Sequence, residues 1–309
     1  MPDTRGVVVN RVSLEPTIAV RASVAEPNVF GRLSRLPALR PSTLKLLSIS
    51  LDSDSAITDF ESVFHSDPVL AADLLIVANS PAFGGRAVVQ SVRHAIAHLG
   101  LERVRSLALV VAVKGYLRTG RWNQQIQVAW RHSIATAVIA ETLGAAEQRA
   151  VPLLYTAGLM HDIGRLALFQ LSMEKYGEVL AATFSSIQEY VGMERYLFGC
   201  AHDDAGAFLG ASWGFPVPLC DCIRFHHWDI AAHAGQLFEL VGVACRIADT
   251  LGFPEVQRAD LIEGPQAVAA IVPARLRGSS LLLPEVLMAR IQQQLDSFHL
   301  TSRVREPRD

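Results

Sequence analysis

The sequence predicts an all-α protein of two helical lobes, and three observations carry that prediction. Apolar residues recur at helical spacing along most of the chain, sheet-like alternation is absent beyond about residue 30, and capping and breaking residues separate the periodic runs. With 309 residues the chain can bury a large core, and with half of them hydrophobic and 19% charged it is globular rather than disordered.

Residues 1–28 stand apart, with two β-prone runs, Val7-Val8-Val9 and Thr17-Ile-Ala-Val20, that suit an arm or a short hairpin. From Leu36-Pro-Ala-Leu-Arg-Pro41 the helical pattern begins, with Ser42 or Thr43 as cap and Leu44, Leu46, Leu47 and Ile49 as the first apolar face. Ile57, Phe60, Val63 and Phe64 form the next face. Asp67-Pro68 then opens a third helix, with proline in the first turn, where its missing N–H costs nothing. Asn79-Ser-Pro-Ala-Phe-Gly-Gly85 reads as a helix cap followed by a turn, with a lid or lobe contact as the functional alternative.

A helix from Ser91 stops at Gly100, and Leu101–Tyr116 follows as a strongly apolar one. Four further helical stretches are expected over Trp122–Gly144, Tyr155–Leu171, Met193–Trp213 and Pro218–His227, then another over Leu237–Leu251. The segment Val256–Leu283 is broken by Gly264-Pro265, Pro273 and Gly278, and a last amphipathic helix covers Pro284–Phe298. The expected organisation is an arm (1–29), a first lobe (30–118), a second lobe (119–255) and a C-terminal extension (256–309). The lobe boundary falls where Arg118-Thr-Gly-Arg121 breaks the apolar pattern.

Composition narrows the function classes. A net charge of −2 and a pI near 6.6 give no electrostatic footprint for nucleic acid. No signal-peptide h-region follows Met1, and the longest apolar candidate, Leu107–Val113, is too short to span a bilayer, so a cytoplasmic location is expected. Cys200, Cys220, Cys222 and Cys245 form no CxxC pair and read as small buried hydrophobes.

The residues with metal chemistry are His132, the pair His161-Asp162, His202, the pair His226-His227 and Asp249. Imidazole and carboxylate suit Zn, Mn and Fe. The first pair lies in Gly158-Leu-Met-His-Asp-Ile-Gly-Arg165, an apolar stretch where buried polar groups are costly unless paired or metal-bound. Taken singly, each has a plainer reading: His132 as a core histidine, His202 paired with Asp203 or Asp204, His226-His227 at a helix C-terminus, Asp249 as a partner of Arg246. His65, His94, His98, His233 and His299 read as structural, and Trp130, Phe208, Trp213 and Phe225 as core.

Leu36-Pro-Ala-Leu39, His65-Ser-Asp-Pro-Val-Leu70, Leu75-Ile-Val-Ala-Asn-Ser80 and Ala95-Ile-Ala-His-Leu-Gly-Leu101 together resemble the N-terminal half of an HDOD domain. His132, Met160-His-Asp-Ile-Gly-Arg165 and Phe225-His-His227 continue the resemblance, which covers roughly residues 30–255. It implies two packed helical lobes, the second of HD type, in a bacterial signalling module related to the HD phosphohydrolases. The HD ligand pattern corresponds to His132, His161, Asp162 and Asp249. The additional histidines of HD-GYP phosphodiesterases, which cleave cyclic di-GMP, correspond to His202, His226 and His227. Arg165 stands for a family lysine after the His-Asp pair and would contact phosphate in an enzyme. The chain departs from HD-GYP enzymes at Val128, where some carry an acidic ligand, at Trp228, where they carry Glu, and in lacking the Gly-Tyr-Pro loop.

The resemblance therefore implies a regulatory module that retains a site for one or two divalent ions (Fe, Mn or Zn). Its partner would be a signalling protein or a small-molecule ligand such as a nucleotide. The alternative is a metal-dependent phosphohydrolase.

Overall fold

A computed structural model describes residues 28–83, 88–118, 124–149, 151–228, 235–262 and 264–303. The β-prone runs expected before residue 28, Gly84-Gly85, the boundary segment 119–123 and the stretch Asp229–Ala234 lie outside the described residues.

The first lobe is built from α2 (Pro41–Ser48), α3 (Ala56–Ser66), α4 (Pro68–Ala78), α5 (Val92–Leu99) and α6 (Leu101–Arg118). Two of its helix starts follow from side-chain caps. Helix α2 instead begins at Pro41 with Arg40 as N-cap and no side-chain cap, so neither Ser42 nor Thr43 caps it as the sequence led one to expect: proline in the first turn has no N–H to satisfy there. The Asp67 carboxylate accepts the Leu70 N–H at 3.0 Å and the Ser42 hydroxyl at 2.7 Å, so one side chain caps α4 and ties it to α2. Ser91 caps α5 through the His94 N–H at 3.1 Å. Gly100 ends that helix at φ +81°, a conformation that costs other residues a Cβ clash. Asn79 serves as a cap and staple. Its amide group donates to the carbonyls of Leu75 and Val89 and accepts the Val89 N–H, each at 2.8 Å, so it ties the two ends of the loop together.

The second lobe holds α7 (Gln124–Ala146), α8 (Val151–Met160), α9 (Ile163–Leu171), α10 (Met173–Ala181), α11 (Ile187–Phe198), α12 (His202–Ser212), α13 (Val217–Phe225) and α14 (Leu237–Thr250). Helix α7 packs on α8 and α14, α12 on α9 and α13. The short α1 (Val29–Leu33) lies against α9 and α12 in this lobe. Arg32 donates to the Leu171 carbonyl at 3.2 Å, and the Phe30 ring is 5.1 Å from Phe208.

The lobes meet where α6 packs on α8, and Ser106 and Thr156 share a buried hydrogen bond of 2.7 Å. The C-terminal extension contributes α15 (Pro265–Ile271) and α16 (Pro284–Arg303), and α16 lies across α4 and α7 from both lobes. Arg290 from α16 donates to Thr142 at 2.6 Å and pairs with Glu141 at 3.1 Å, while Arg103 of α6 takes the other oxygen of Glu141. The sheet content described is one parallel pair, β1 (Thr183–Phe184) with β2 (Gln257–Arg258). None of the described helices is long and apolar enough to cross a membrane.

Two single helices expected from the sequence are each divided. The chain breaks at His161-Asp162 between α8 and α9, and at Gly199–Ala201 between α11 and α12. Successive side chains on an unbroken helix point about 100° apart. Breaking the helix at the pair lets both His161 and Asp162 face one point, and the second break sets His202 at the first turn of α12.

Candidate metal centre

The centre lies inside the second lobe, where helix ends converge. His132 comes from the middle of α7, His161 and Asp162 from the α8–α9 junction, His202 from the start of α12, and His226 and His227 from the end of α13. His132, His161, Asp162, His202 and His226 are buried, and His227 is partly exposed. Small residues permit the approach. A Cβ on Gly164 would collide with the backbone of His202, and one on Gly242 of α14 with the carbonyl of His226.

The imidazoles are held from behind. The Nδ1 atoms of His132, His161 and His226 each lie 2.7 Å from a carbonyl, those of Phe253, Gly158 and Ile223 respectively. A carbonyl only accepts, so Nδ1 carries the proton in each, and Nε2 of the neutral ring is a lone pair turned inward. His202 is held by a carboxylate instead: Glu194 accepts from its Nδ1 at 2.5 Å and its backbone N–H at 2.8 Å. Glu194 in turn accepts from Tyr190 at 2.7 Å and Tyr176 at 2.9 Å. Metal-bound histidines characteristically have such supporting acceptors.

The inward atoms crowd one another. Nε2 of His132 is 3.2 Å from Nε2 of His161, and Nε2 of His202 is 2.9 Å from Nε2 of His227. Lone pairs so close repel unless a proton or a cation lies between them. Asp162 runs between the two pairs, with Oδ2 at 3.0 Å from His161 and Oδ1 at 3.3 and 3.4 Å from His202 and His226. Neither Asp162 oxygen has a hydrogen bond of good geometry, nor does Nε2 of His226, although all three are buried. Asp162, His202, His226 and His227 form one set of donors within 4.8 Å of one another, and His132, His161, Asp162 and Glu255 form a second. The donor chemistry and the orphaned atoms both fit a divalent ion.

Asp249 and Arg165 stand where the sequence alone did not place them. Asp249 approaches Nδ1 of His132 at 3.3 Å, the outer nitrogen, and accepts from Arg258 at 2.9 Å. Arg165 is buried, with Nε 2.9 Å from Asp162, Nη1 2.5 Å from Glu255 and the Tyr190 ring 4.6 Å away. Its guanidinium neutralises the floor of the centre, and this geometry offers no support for a contact with substrate phosphate.

Three participants were not singled out in the sequence: Glu255, Glu194 and Cys245. Glu255 follows α14 and lies 2.7 Å from Nε2 of His132. A carboxylate between Phe253-Pro254 and Val256 is the signal that could have exposed it.

The electrostatics divide the imidazoles. Burial opposes a charge on His161, but the Asp162 carboxylate prevails and raises it to about 10. Burial lowers His226 to about 4, with the His161 charge adding to the effect. Burial works against Asp162 ionising as well, yet Arg165 and His161 hold it well below the usual carboxylate range. Glu255 is pushed up by burial and by the Asp162 charge.

Glu194 is expected to act on the metal through His202. Glu194→Gln should weaken metal affinity by roughly 10–100-fold, the usual effect of losing a supporting acceptor. Titration with a metal indicator checks it, and unchanged affinity would remove Glu194 from the ligand support.

A cleft of about 760 Å³ reaches the centre from outside, lined by Ile187, His227, Trp228, Cys245, Arg246, Asp249 and Arg258 among others. Trp228 is 48% exposed at its rim, its ring 4.3 Å from Phe225. Arg246 is exposed on the same side.

Known proteins agree with this architecture. An HDOD domain protein of unknown function from Geobacter sulfurreducens superposes with a TM-score of 0.65 at 22% identity, covering 88% of this chain and 97% of that one. A protein from Shewanella amazonensis SB2B, proposed by its name to be a phosphohydrolase, gives 0.63 at 22% identity over 87% and 94% of the two chains. At these identities the likeness shows the fold. An uncharacterized protein of Treponema pallidum (strain Nichols) is 26% identical over 234 residues, 72% of this chain and 43% of its own length. The chain thus spans less than half of that curated relative. The family model for the HDOD domain matches residues 36–228, through both lobes and up to the His-His pair, and the chain belongs to the HDOD family.

Proposed function

We propose that this chain is a bacterial signal-transduction module whose second lobe retains an HD-type divalent-metal centre. The observation that carries the reading is a set of buried donor atoms turned on one another: both oxygens of Asp162, both of Glu255 and Nε2 of His226 are buried without a hydrogen bond of good geometry. Buried polar atoms left so are costly, and a divalent cation between them meets that need. His132, His161, Asp162 and Glu255 would hold an ion on one side, Asp162, His202, His226 and His227 on the other, so two ions would share Asp162. Iron, manganese and zinc all suit nitrogen and carboxylate donors.

The signalling reading over the enzymatic one is supported by burial. Among the imidazoles of the centre only His227 is partly exposed, and the Arg165 guanidinium is committed to two carboxylates. The helical lobes would bind a signalling protein or a small ligand and relay its state.

A metal-dependent phosphohydrolase is the second reading, favoured by the cleft that ends on His227 and Asp249. A bound ion would there activate water as a nucleophile. Rate also requires a positioned substrate, worth several orders of magnitude, and the residue after the His-His pair is a tryptophan.

Elemental analysis of protein purified without chelator is expected to find at least about one ion per chain, consistent with the ligand count. Little hydrolysis of cyclic di-GMP is expected after loading with Mn or Fe. Robust metal-dependent turnover, abolished in Asp162→Ala, would replace the module by the enzyme.

The pH dependence of the metal-free protein has a definite sign. His161 is raised from 6.5 to about 10, so its proton stabilises the fold fully below 6.5, and that contribution is lost as pH rises through 10. Thermal melts of chelator-treated protein should therefore decline across this window. The metal-loaded protein should instead release its ion as pH falls, because protons compete for the same nitrogens. A metal-free Tm that rises from neutral to alkaline pH would contradict the charge assignment.

A further inference from the structure

We propose that Cys245 is a metal ligand, completing a thiolate site with His132 and His161 when a thiophilic ion such as zinc or cobalt(II) occupies that side of the centre. The proposal rests on the metal reading above and adds to it a sulfur donor and a rule for metal choice.

Helix α14 brings Cys245 to this position. Cys245 and Asp249 are four residues apart and share a face of the helix, and α14 packs on α7, which carries His132. The Cys245 Sγ lies 3.6 Å from Nε2 of His132, the nitrogen directed inward. The donor atoms of His132, His161 and Cys245 all fall within 4.8 Å of one another, and the three side chains are buried. Further evidence that this spot takes a ligand comes from the neighbouring oxygens of Asp162 and Glu255: all four are buried and none has a hydrogen bond of good geometry, although Arg165 and the imidazoles lie within ion-pair reach. Cys222 is different: burial pushes its thiol up to about 12, and it belongs to none of the donor sets among the described residues.

The same two imidazoles belong to a second set, with Asp162 and Glu255. The pair can thus close on sulfur or on oxygen. Thiolate favours zinc and other borderline-soft ions, and carboxylates favour manganese and magnesium. Binding through sulfur requires the thiol to deprotonate: the S–H bond breaks, its electron pair forms the metal–sulfur bond, and the proton leaves to solvent. The metal enters as a divalent ion and remains one, so no oxidant or reductant is involved. Cys245 also lines the cleft, which gives the ion and the proton a route.

Cobalt(II) reports the ligand directly. Full-length protein stripped of metal and loaded with cobalt(II) is expected to show an intense thiolate-to-cobalt charge-transfer band in the near ultraviolet, beside the weaker visible bands. Cys222→Ser should keep both. Cys245→Ser should lose the charge-transfer band, keep the visible bands, and bind zinc roughly tenfold or more weakly while manganese affinity stays within about threefold. Should Cys245→Ser fail to fold, X-ray absorption of the zinc-loaded wild type decides, with a sulfur scatterer near 2.3 Å expected. Visible cobalt bands without charge transfer in the wild type, or a charge-transfer band that survives in Cys245→Ser, would overturn the sulfur ligand and leave the metal centre standing. No uptake of cobalt or zinc by any variant would remove the metal centre itself, and the proposal with it.

Discussion

Asp162→Ala is expected to strip the centre of metal and to lower stability by about 3–5 kcal/mol, the usual result of removing one partner from a buried charge cluster. The carboxylate meets Arg165 at 2.9 Å, His161 at 3.0 Å, His202 at 3.3 Å and His226 at 3.4 Å. Without it, Arg165 retains Glu255 alone, and the two sets of imidazoles lose the group they share. Asp162→Asn keeps the volume and removes the charge, so it separates packing from electrostatics. It should lose the metal as completely while recovering part of the stability. Binding of any partner through α2–α6 should persist in both variants where they fold, because that lobe contributes no donor to the centre among the described residues. Chemical denaturation and elemental analysis measure both effects. A fully metallated Asp162→Ala protein with wild-type stability would show that the cluster is neither a metal centre nor a charge cluster of consequence.

Gly164→Ala should be as severe, for a steric reason. Its Cβ would lie within contact of the His202 carbonyl and 2.5 Å from the backbone N of Gly206, and backbone cannot rotate away as a side chain can. Overpacking commonly costs about 1–3 kcal/mol and occasionally more. Here the upper end is expected, because moving α9 from α12 also displaces His202 and its hydrogen bond to Glu194. Loss of metal should accompany the lower Tm. Gly192→Ala on α11 is the control: nothing lies within 4 Å of that Cβ. A helix-interior glycine replaced by alanine gains roughly 0.5–1 kcal/mol. A Gly164→Ala protein as stable as wild type would mean that α9 and α12 are free to separate.

The identity of most elements was legible because helices are specified over a few residues. Asp67-Pro68, Ser91 and Gly100 do in the structure what their chemistry implies, and Asn79 caps and turns as its type suggests. The metal-type histidines were legible as well. A His-Asp pair inside an apolar stretch marks a polar group that requires a partner, and the ordered motifs around it led to the HDOD family. The break at His161-Asp162 was not legible, since Gly158–Arg165 contains no proline and its apolar pattern continues through both α8 and α9, whereas the break before His202 had a signal in Gly199, which ends α11 at φ +83°. The chain leaves the helix at the pair, and the junction turns both adjacent donors toward one point.

Partnership at long range was the part hidden from the sequence. Glu194 supports a histidine eight residues away across a helix break, and Glu255 meets His132 from more than a hundred residues along the chain. Asp249 looked like an inner ligand but is drawn to Arg258 and to the outer nitrogen of His132. Arg165 looked like a phosphate contact but is enclosed between Asp162 and Glu255. Periodicity, capping and residue chemistry are local properties, so the helical class and the stock of nitrogen and carboxylate donors could be read from the order of residues alone. Tertiary structure alone decided which donors face one another, which carboxylates are neutralised by arginine and which cysteine joins the imidazoles. Those outcomes depend on distances between segments far apart in the chain, and only packing sets such distances.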